Sequence, residues 1–295
     1  MRILLTGASG FLGQTFCREH SAAHHITGLY RAHRPELPGV RLLRVDLTDH
    51  RALAQVLAAD YFDACVHTAA LADPNACQLD PTTSQAINVH ATANVADLCA
   101  EHGVALAFTS TDLVFDGRNA PYDETAPAAP VCLYGEHKLR AEAEVLARHP
   151  KALVCRMALL YGRTVPGARC LLDGMLQAVR CGQPLRLFAD EFRTPLDAAD
   201  GARGIMRALT SGVSGLLHLG GPERLSRLEF GHILADVLAE IPGWPRPVLQ
   251  PTIQADVAMP APRPPDVSLN IARAAGFGFA PAPARQALRA MLAQA

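Results

Sequence analysis

The sequence predicts an α/β chain wound on both faces of a parallel sheet, and three observations carry that expectation. Short apolar runs alternate with helix-like stretches through the first half of the chain. Several of those runs are continuously apolar rather than alternating in and out, as strands covered on both faces must be. A glycine-rich turn, Gly7-Ala8-Ser9-Gly10-Phe11-Leu12-Gly13, stands between the first strand and the first helix.

Strands are expected over residues 2–6, 25–30, 41–45, 63–67, 104–109 and 152–157, with helices over 11–20, 49–58, 83–102 and 133–148. Beyond residue 160 the rhythm loosens. Helices are expected at 168–181 and 196–209 and a short strand at 215–219. Ser226-Arg227-Leu228-Glu229 has the form of a capping box and opens a helix through Ala239. Residues 242–265 carry eight prolines, cannot form regular helix, and should run as an extended surface loop. A last helix covers 283–294. The chain thus divides near residue 160, into a doubly wound domain over 1–160 and a smaller α/β region over 161–295, some of whose segments can return to the sheet.

With 295 residues, 49% hydrophobic and 19% charged, the chain can bury a sizeable core. A net charge of −1 without a basic cluster argues against nucleic acid as the main partner. No apolar run approaches the ~18–20 residues of a membrane-spanning helix. The N-terminus enters its first strand without the hydrophobic region of an export signal, so a cytoplasmic protein is expected. Eight cysteines, 11 to 48 residues apart and without a C-x-x-C pair, read as buried thiols and signal no metal site.

The glycines of the first turn let the backbone bend tightly and approach a pyrophosphate, which then sits on the helix N-terminus. After the second strand, where an acid would bind an NAD ribose, the sequence is Arg31-Ala32-His33-Arg34. Two arginines there can neutralise a 2′-phosphate, which favours NADP, with NAD as the alternative. Asp46, after the third strand, is placed to accept from an adenine amine or to open a helix.

Tyr134 and Lys138 stand four residues apart, on one face of a helix. Only two of the 27 basic residues are lysine, which marks Lys138 out. An ammonium beside a phenol lowers its pKa and makes the tyrosine a usable acid or base. His137 points elsewhere and reads as structural. At the end of the fifth strand, Ser110-Thr111-Asp112 offers a hydroxyl that can polarise a substrate carbonyl, Thr111 first and Ser110 as the fallback.

These three motifs in this order resemble the extended short-chain dehydrogenase/reductases, which have a Rossmann dinucleotide-binding domain. The wording is most similar to the dTDP-4-dehydrorhamnose reductase branch, whose S-T-D-Y-V-F-x-G stretch is matched by Ser110–Gly117. Val66–Ala70, Asn88, Arg193-Thr194-Pro195 and Arg263–Asp266 also resemble that branch.

The resemblance implies a catalytic set of Thr111, Tyr134 and Lys138. It implies that Gly7, Gly10, Phe11, Leu12 and Gly13 cradle the cofactor pyrophosphate. Arg31, Asp46, Leu47, Ala69 and Ala70 would line its adenosine side. Asp112, Leu113, Leu159 and Arg193 would join Thr111 at the substrate, with Arg193 towards its nucleotide end. Leu113 and Leu159 stand where the branch has Tyr and Trp, which makes the sugar end of the pocket more apolar and leaves rhamnose itself in doubt.

The expected activity is NADPH-dependent reduction of a 4-keto nucleotide-sugar or related ketone. The wording is also similar to the regulatory beta subunits of methionine adenosyltransferase, in which the same fold binds NADP without turnover. A nucleotide-sugar epimerase retaining NAD is a third reading. The resemblance also implies a homodimer through helices 83–102 and 133–148, a pair this superfamily often uses for dimers.

Overall fold

Alternate side chains of the first strand point into two separate apolar layers, Ile3 and Leu5 into one and Leu4 into the other. Such a strand is stable only with helices on both sides. The computed structural model of the chain describes residues 1–163, 167–168 and 170–293. Its central sheet is built of β1 (Arg2–Thr6), β2 (His25–Tyr30), β3 (Arg41–Arg44), β4 (Ala64–His67), β5 (Ala105–Thr111), β6 (Leu153–Met157) and β7 (Gly215–Leu219). The order is β3-β2-β1-β4-β5-β6-β7, and every pairing is parallel.

One apolar layer joins the sheet to α1 (Phe11–His20) and α5 (Ala198–Thr210), through Phe16, Cys17, Ala202, Ile205 and Met206. The other joins it to α2 (His50–Ala59), α3 (Ala91–Glu101) and α4 (Leu133–Arg148), through Leu53, Leu57, Val95, Leu98 and Val145. A third core lies outside the sheet. There Tyr161, Phe230, Leu234 and Leu288 pack helices Leu171–Arg180, Arg227–Ala239 and Ala284–Leu292 together.

Strand order reverses between β1 and β4, and a crevice opens there at the carboxyl ends of the strands. The C-terminal ends of β1, β4, β5 and β6 all face it, and they carry the Gly7 turn, Thr68–Ala70, Thr111 and Ala158–Leu160.

Several boundaries differ from the sequence reading. Strand β5 runs two residues further than 104–109, so Ser110 and Thr111 belong to the strand itself. The expected helix 83–102 is divided into Pro81–Gln85, a wide π turn Ala86–His90, and α3. The wide turn holds buried Asn88 against Leu71, whose N–H it accepts at 2.9 Å and whose carbonyl it donates to at 3.1 Å. Asp197 caps α5, so that helix starts two residues later than expected.

The proline-rich stretch is not wholly loop, since Leu249–Thr252 pairs in parallel with Leu185–Phe188. Pro251 is tolerated there because a strand at an edge need not donate from every residue. Residue 169 of the expected helix 168–181, and residue 294 of the last, lie outside the described residues; the helices described run over Leu171–Arg180 and Ala284–Leu292. Six cysteines are buried as expected of apolar thiols, whereas Cys170 is half-buried and Cys181 exposed. Among the described residues no helix is long and apolar enough to cross a membrane, and no group of His, Cys, Asp or Glu is arranged to hold a metal ion.

Candidate active site

The glycine-rich turn is made by backbone geometry. Gly7 has φ +71°, a region that favours glycine, and a Cβ there would lie 2.7 Å from the Ala69 nitrogen. Gly13 packs so tightly on the turn that a Cβ would fall 2.2 Å from the Gly7 carbonyl oxygen. Gly10 caps α1 without a side-chain hydrogen bond, and the first turn of α1 contains no acid. Its free N–H groups and the positive end of the helix dipole are therefore available to an anion. These features fit a dinucleotide pyrophosphate.

A pocket of about 230 Å³ continues from this turn over the C-terminal ends of β2 and β3. Arg31, Asp46, Leu47, Ala69 and Ala70 line it together, while exposed Arg34 does not. Asp46 accepts from the Thr48 N–H at 3.0 Å and hydroxyl at 2.7 Å, and these bonds hold its carboxyl below the usual range. Arg31 adds a smaller effect of the same sign.

On the other side of Gly10 the crevice widens to a cleft of about 690 Å³. Phe11, Leu12 and Gly13 line one wall, and Thr111, Tyr134 and Lys138 line the other. The helix α4 buries Tyr134, Lys138, Ala141, Glu142 and Val145, which share a face at three- and four-residue spacing. Gly135 lets α4 approach the strand end: a Cβ there would sit 2.1 Å from the Leu113 carbonyl oxygen. That contact brings Tyr134 to Thr111.

Burial dominates the electrostatics of the pair. It pushes the Tyr134 phenol well above its ordinary value, and Cys77, Asp112 and Cys132 add to the rise while Thr111 opposes it. Burial likewise brings the Lys138 ammonium down to about 7, against the opposing pull of Glu142. The expected lowering of the phenol by Lys138 is not realised here, because desolvation outweighs it and leaves the lysine itself only about half charged near pH 7. Lys138 lies 4.2 Å over the Phe108 ring. Phe108 in turn stacks on His67, which burial holds neutral, with a pKa of about 3.

Ser110 and Thr111 have different partners. Ser110 donates to Glu142 at 2.5 Å, inside a buried bidentate pair between Glu142 and Arg156. It is committed to that network. Thr111 donates to Asp112 at 3.1 Å and accepts the Leu113 N–H at 3.2 Å, facing the cleft. His137 is buried and bonded to Ser84 at 2.7 Å, away from Lys138.

Leu113, Leu159, Asp112 and Arg193 all line the cleft. Arg193 is only 3% exposed, and its guanidinium is engaged by Asp112, Glu191 and the carbonyls of Phe192 and Pro264. It thus holds Asp112 rather than offering an open cation. Glu191 and Arg227, which the sequence reading did not single out, extend this buried cluster, with Arg227 on Glu191 at 2.9 Å. Neither residue has a motif signal, because residues 112, 191, 193 and 227 meet only in the fold.

Comparison with known proteins agrees with this architecture. The chain is 29% identical over 282 residues to a probable low-salt glycan biosynthesis reductase, Agl14, of Haloferax volcanii, covering 94% of this chain and 92% of that protein. It is 30% identical over 286 residues to methionine adenosyltransferase 2 subunit beta of Bos taurus, covering 94% and 83%. A dTDP-4-dehydrorhamnose reductase of Bacillus anthracis, solved in complex with NADP, has the same fold at a TM-score of 0.88 and 22% identity, covering 100% and 99% of the two chains. Residues 1–295 match the family described as the RmlD substrate binding domain, and the chain belongs to that family.

Proposed function

We propose that the chain is an NADP-dependent reductase of a 4-keto nucleotide-sugar or a related ketone. The observation that carries this reading is the convergence of Thr111, Tyr134 and Lys138 on the cleft that also contains the glycine-rich turn. The reductase relatives support it. Arg31 at the adenosine end, with no carboxylate at the end of β2, supports NADP over NAD.

Bound NADPH is the source of hydride in this reading. Tyr134, kept protonated at neutral pH by its burial, enters the reaction as the acid that protonates the ketone oxygen as negative charge grows there. Thr111 orients the same oxygen by hydrogen bonding. Lys138 faces the cleft where the nicotinamide ribose would lie and is the residue to hold it. Leu113 and Leu159 give the sugar an apolar wall, which favours a deoxygenated ring. Residues 1–160 would bind the dinucleotide and 161–295 mainly the substrate, with β7 and α5 returned to the sheet.

The test is NADPH consumption against a panel of nucleoside-diphosphate 4-ketosugars that includes dTDP-4-dehydrorhamnose. Turnover by the wild type is expected, with a loss of about 10²–10⁴-fold in Tyr134→Phe. Full turnover by Tyr134→Phe would falsify the assignment.

A second reading, an NADP-binding regulatory subunit, is favoured by the 30% identity to the adenosyltransferase subunit. Tight NADPH binding without consumption on any ketone, together with co-purification of a synthetase, would select it. Tightly retained NAD in the purified protein would instead select an epimerase.

A further inference from the structure

Thr111 has one hydroxyl proton to donate, and its neighbours decide where that proton points. Its Oγ1 accepts the Leu113 N–H at 3.2 Å and lies 3.1 Å from Oδ1 of Asp112. Asp112 is only 4% exposed, and its other oxygen, Oδ2, is buried without a hydrogen-bond partner. The ion-pair contact of Oδ2 is Arg193 Nε, at 3.6 Å. That contact is a charge pairing without a hydrogen bond, and a buried carboxylate oxygen that accepts no hydrogen bond is costly, so the ionised form of Asp112 is only partly served where it stands.

We propose that Asp112 is a positioning residue whose protonation state sets the direction of the Thr111 hydroxyl, and so decides whether Thr111 donates to the substrate carbonyl oxygen. The inference rests on the reductase reading for its effect on rate. With Asp112 ionised, the Thr111 O–H donates to Oδ1, and the remaining lone pair of Oγ1 faces the cleft as an acceptor. In that state Thr111 repels a ketone oxygen and competes with it for the Tyr134 proton. With a proton from solvent on Oδ1, the carboxyl donates to Oγ1, the Leu113 N–H fills the second lone pair, and the Thr111 proton is released toward the ketone. This role acts through Thr111 and needs no bond from Asp112 to the substrate, and the Asp112 proton returns to solvent when it ionises.

The groups facing Asp112 come from several segments. Burial is the largest influence on its carboxyl and raises its titration. Arg193, the Thr111 hydroxyl and Arg227 oppose that rise, and Glu191 reinforces it. Tyr134 on α4 also lies within electrostatic reach.

The experiment is a ¹³C carboxyl NMR titration of the full-length labelled chain, wild type and Asp112→Asn, combined with pH profiles of kcat/KM for NADPH and a ketosugar of the panel that is turned over. The resonance missing from Asp112→Asn should titrate above the ordinary aspartate midpoint of about 3.9. In the wild type the rate should fall about tenfold as pH rises through that midpoint, the worth of one hydrogen bond. In Asp112→Asn, Arg193 draws the amide oxygen and leaves the NH₂ facing Thr111 at every pH, so this limb should vanish. A resonance titrating at or below 3.9, or an unchanged limb in Asp112→Asn, overturns the proposal.

Should Asp112→Asn not fold, Thr111→Ser must keep the limb and Thr111→Val must lose it. Failure of the reductase reading is separately visible: the wild type would consume no NADPH with any ketone, and the NMR titration would still decide the state of Asp112.

Discussion

The two ends of the cleft are built by different means. The dinucleotide end is shaped by backbone: Gly7 at positive φ, Gly13 against the Gly7 carbonyl, and the uncapped N-terminus of α1. The substrate end is shaped by buried charge, with Asp112, Arg193, Glu191 and Arg227 linked in series. A backbone site depends on steric room and tolerates no added atom. A charged site depends on pairing and tolerates no missing partner. The two should therefore fail in opposite ways.

The largest effect is expected at the charged end. Glu191→Leu takes from Arg193 and Arg227 the carboxylate they share, neither arginine can shed its charge, and a buried pair broken on one side costs about 3–5 kcal/mol. Chemical denaturation should show that loss, and a loss below about 1 kcal/mol, the scale of a surface pair, would contradict the buried-network account.

At the backbone end, Gly13→Ala adds one methyl at 2.2 Å from the Gly7 carbonyl oxygen. Overpacking of this kind costs about 1–3 kcal/mol and displaces the turn. Calorimetric titration should find NADPH binding weakened more than stability alone explains. Undiminished binding would mean that the turn does not hold the pyrophosphate.

The smallest effect is a pH limb between the two ends, at Lys138. Its folded pKa of about 7 lies below the ordinary 10.5, so the unfolded chain holds more protons between those values. Stability therefore rises as pH increases above 7 and is lost again as pH falls. The window from pH 7 to 8.5 lies below the ordinary thiol value of 9, so the thiols with raised pKa values, Cys17, Cys65, Cys77, Cys132, Cys155 and Cys170, act mainly above it. It also lies above the ordinary histidine value of 6.5. The melting temperature of the wild type should climb across this window, and Lys138→Met should remove the climb. An equal climb in the variant would place the titration elsewhere.

The same contrast explains what could be read from the sequence. The glycine turn, the Tyr134–Lys138 spacing and Thr111 were legible because each is local, fixed by a helix repeat or a strand end. Glu191 and Arg227 were not, since their meaning arises only when residues from distant segments meet around Asp112. The direction of the Tyr134 shift was also out of reach. Spacing places the ammonium near the phenol, but the depth of burial, which decides the sign, belongs to the packing of α4 against Leu113. The reach of β5 to Thr111 exceeds the sequence reading because Ser110 and Thr111 read as turn residues when their strand partners Arg156 and Met157 are not in view.

In the proposed reaction one cleft brings a nicotinamide hydride to a ketone beside Tyr134. Mass spectrometry of the product formed from NADPH deuterated at both nicotinamide C4 positions and dTDP-4-dehydrorhamnose, or another ketosugar of the panel that is turned over, reports that transfer. One deuterium is expected on the new carbinol carbon, with product formed about 10²–10⁴-fold more slowly by Tyr134→Phe. Product formed without deuterium at that carbon, or no product from any ketosugar of the panel, would contradict it.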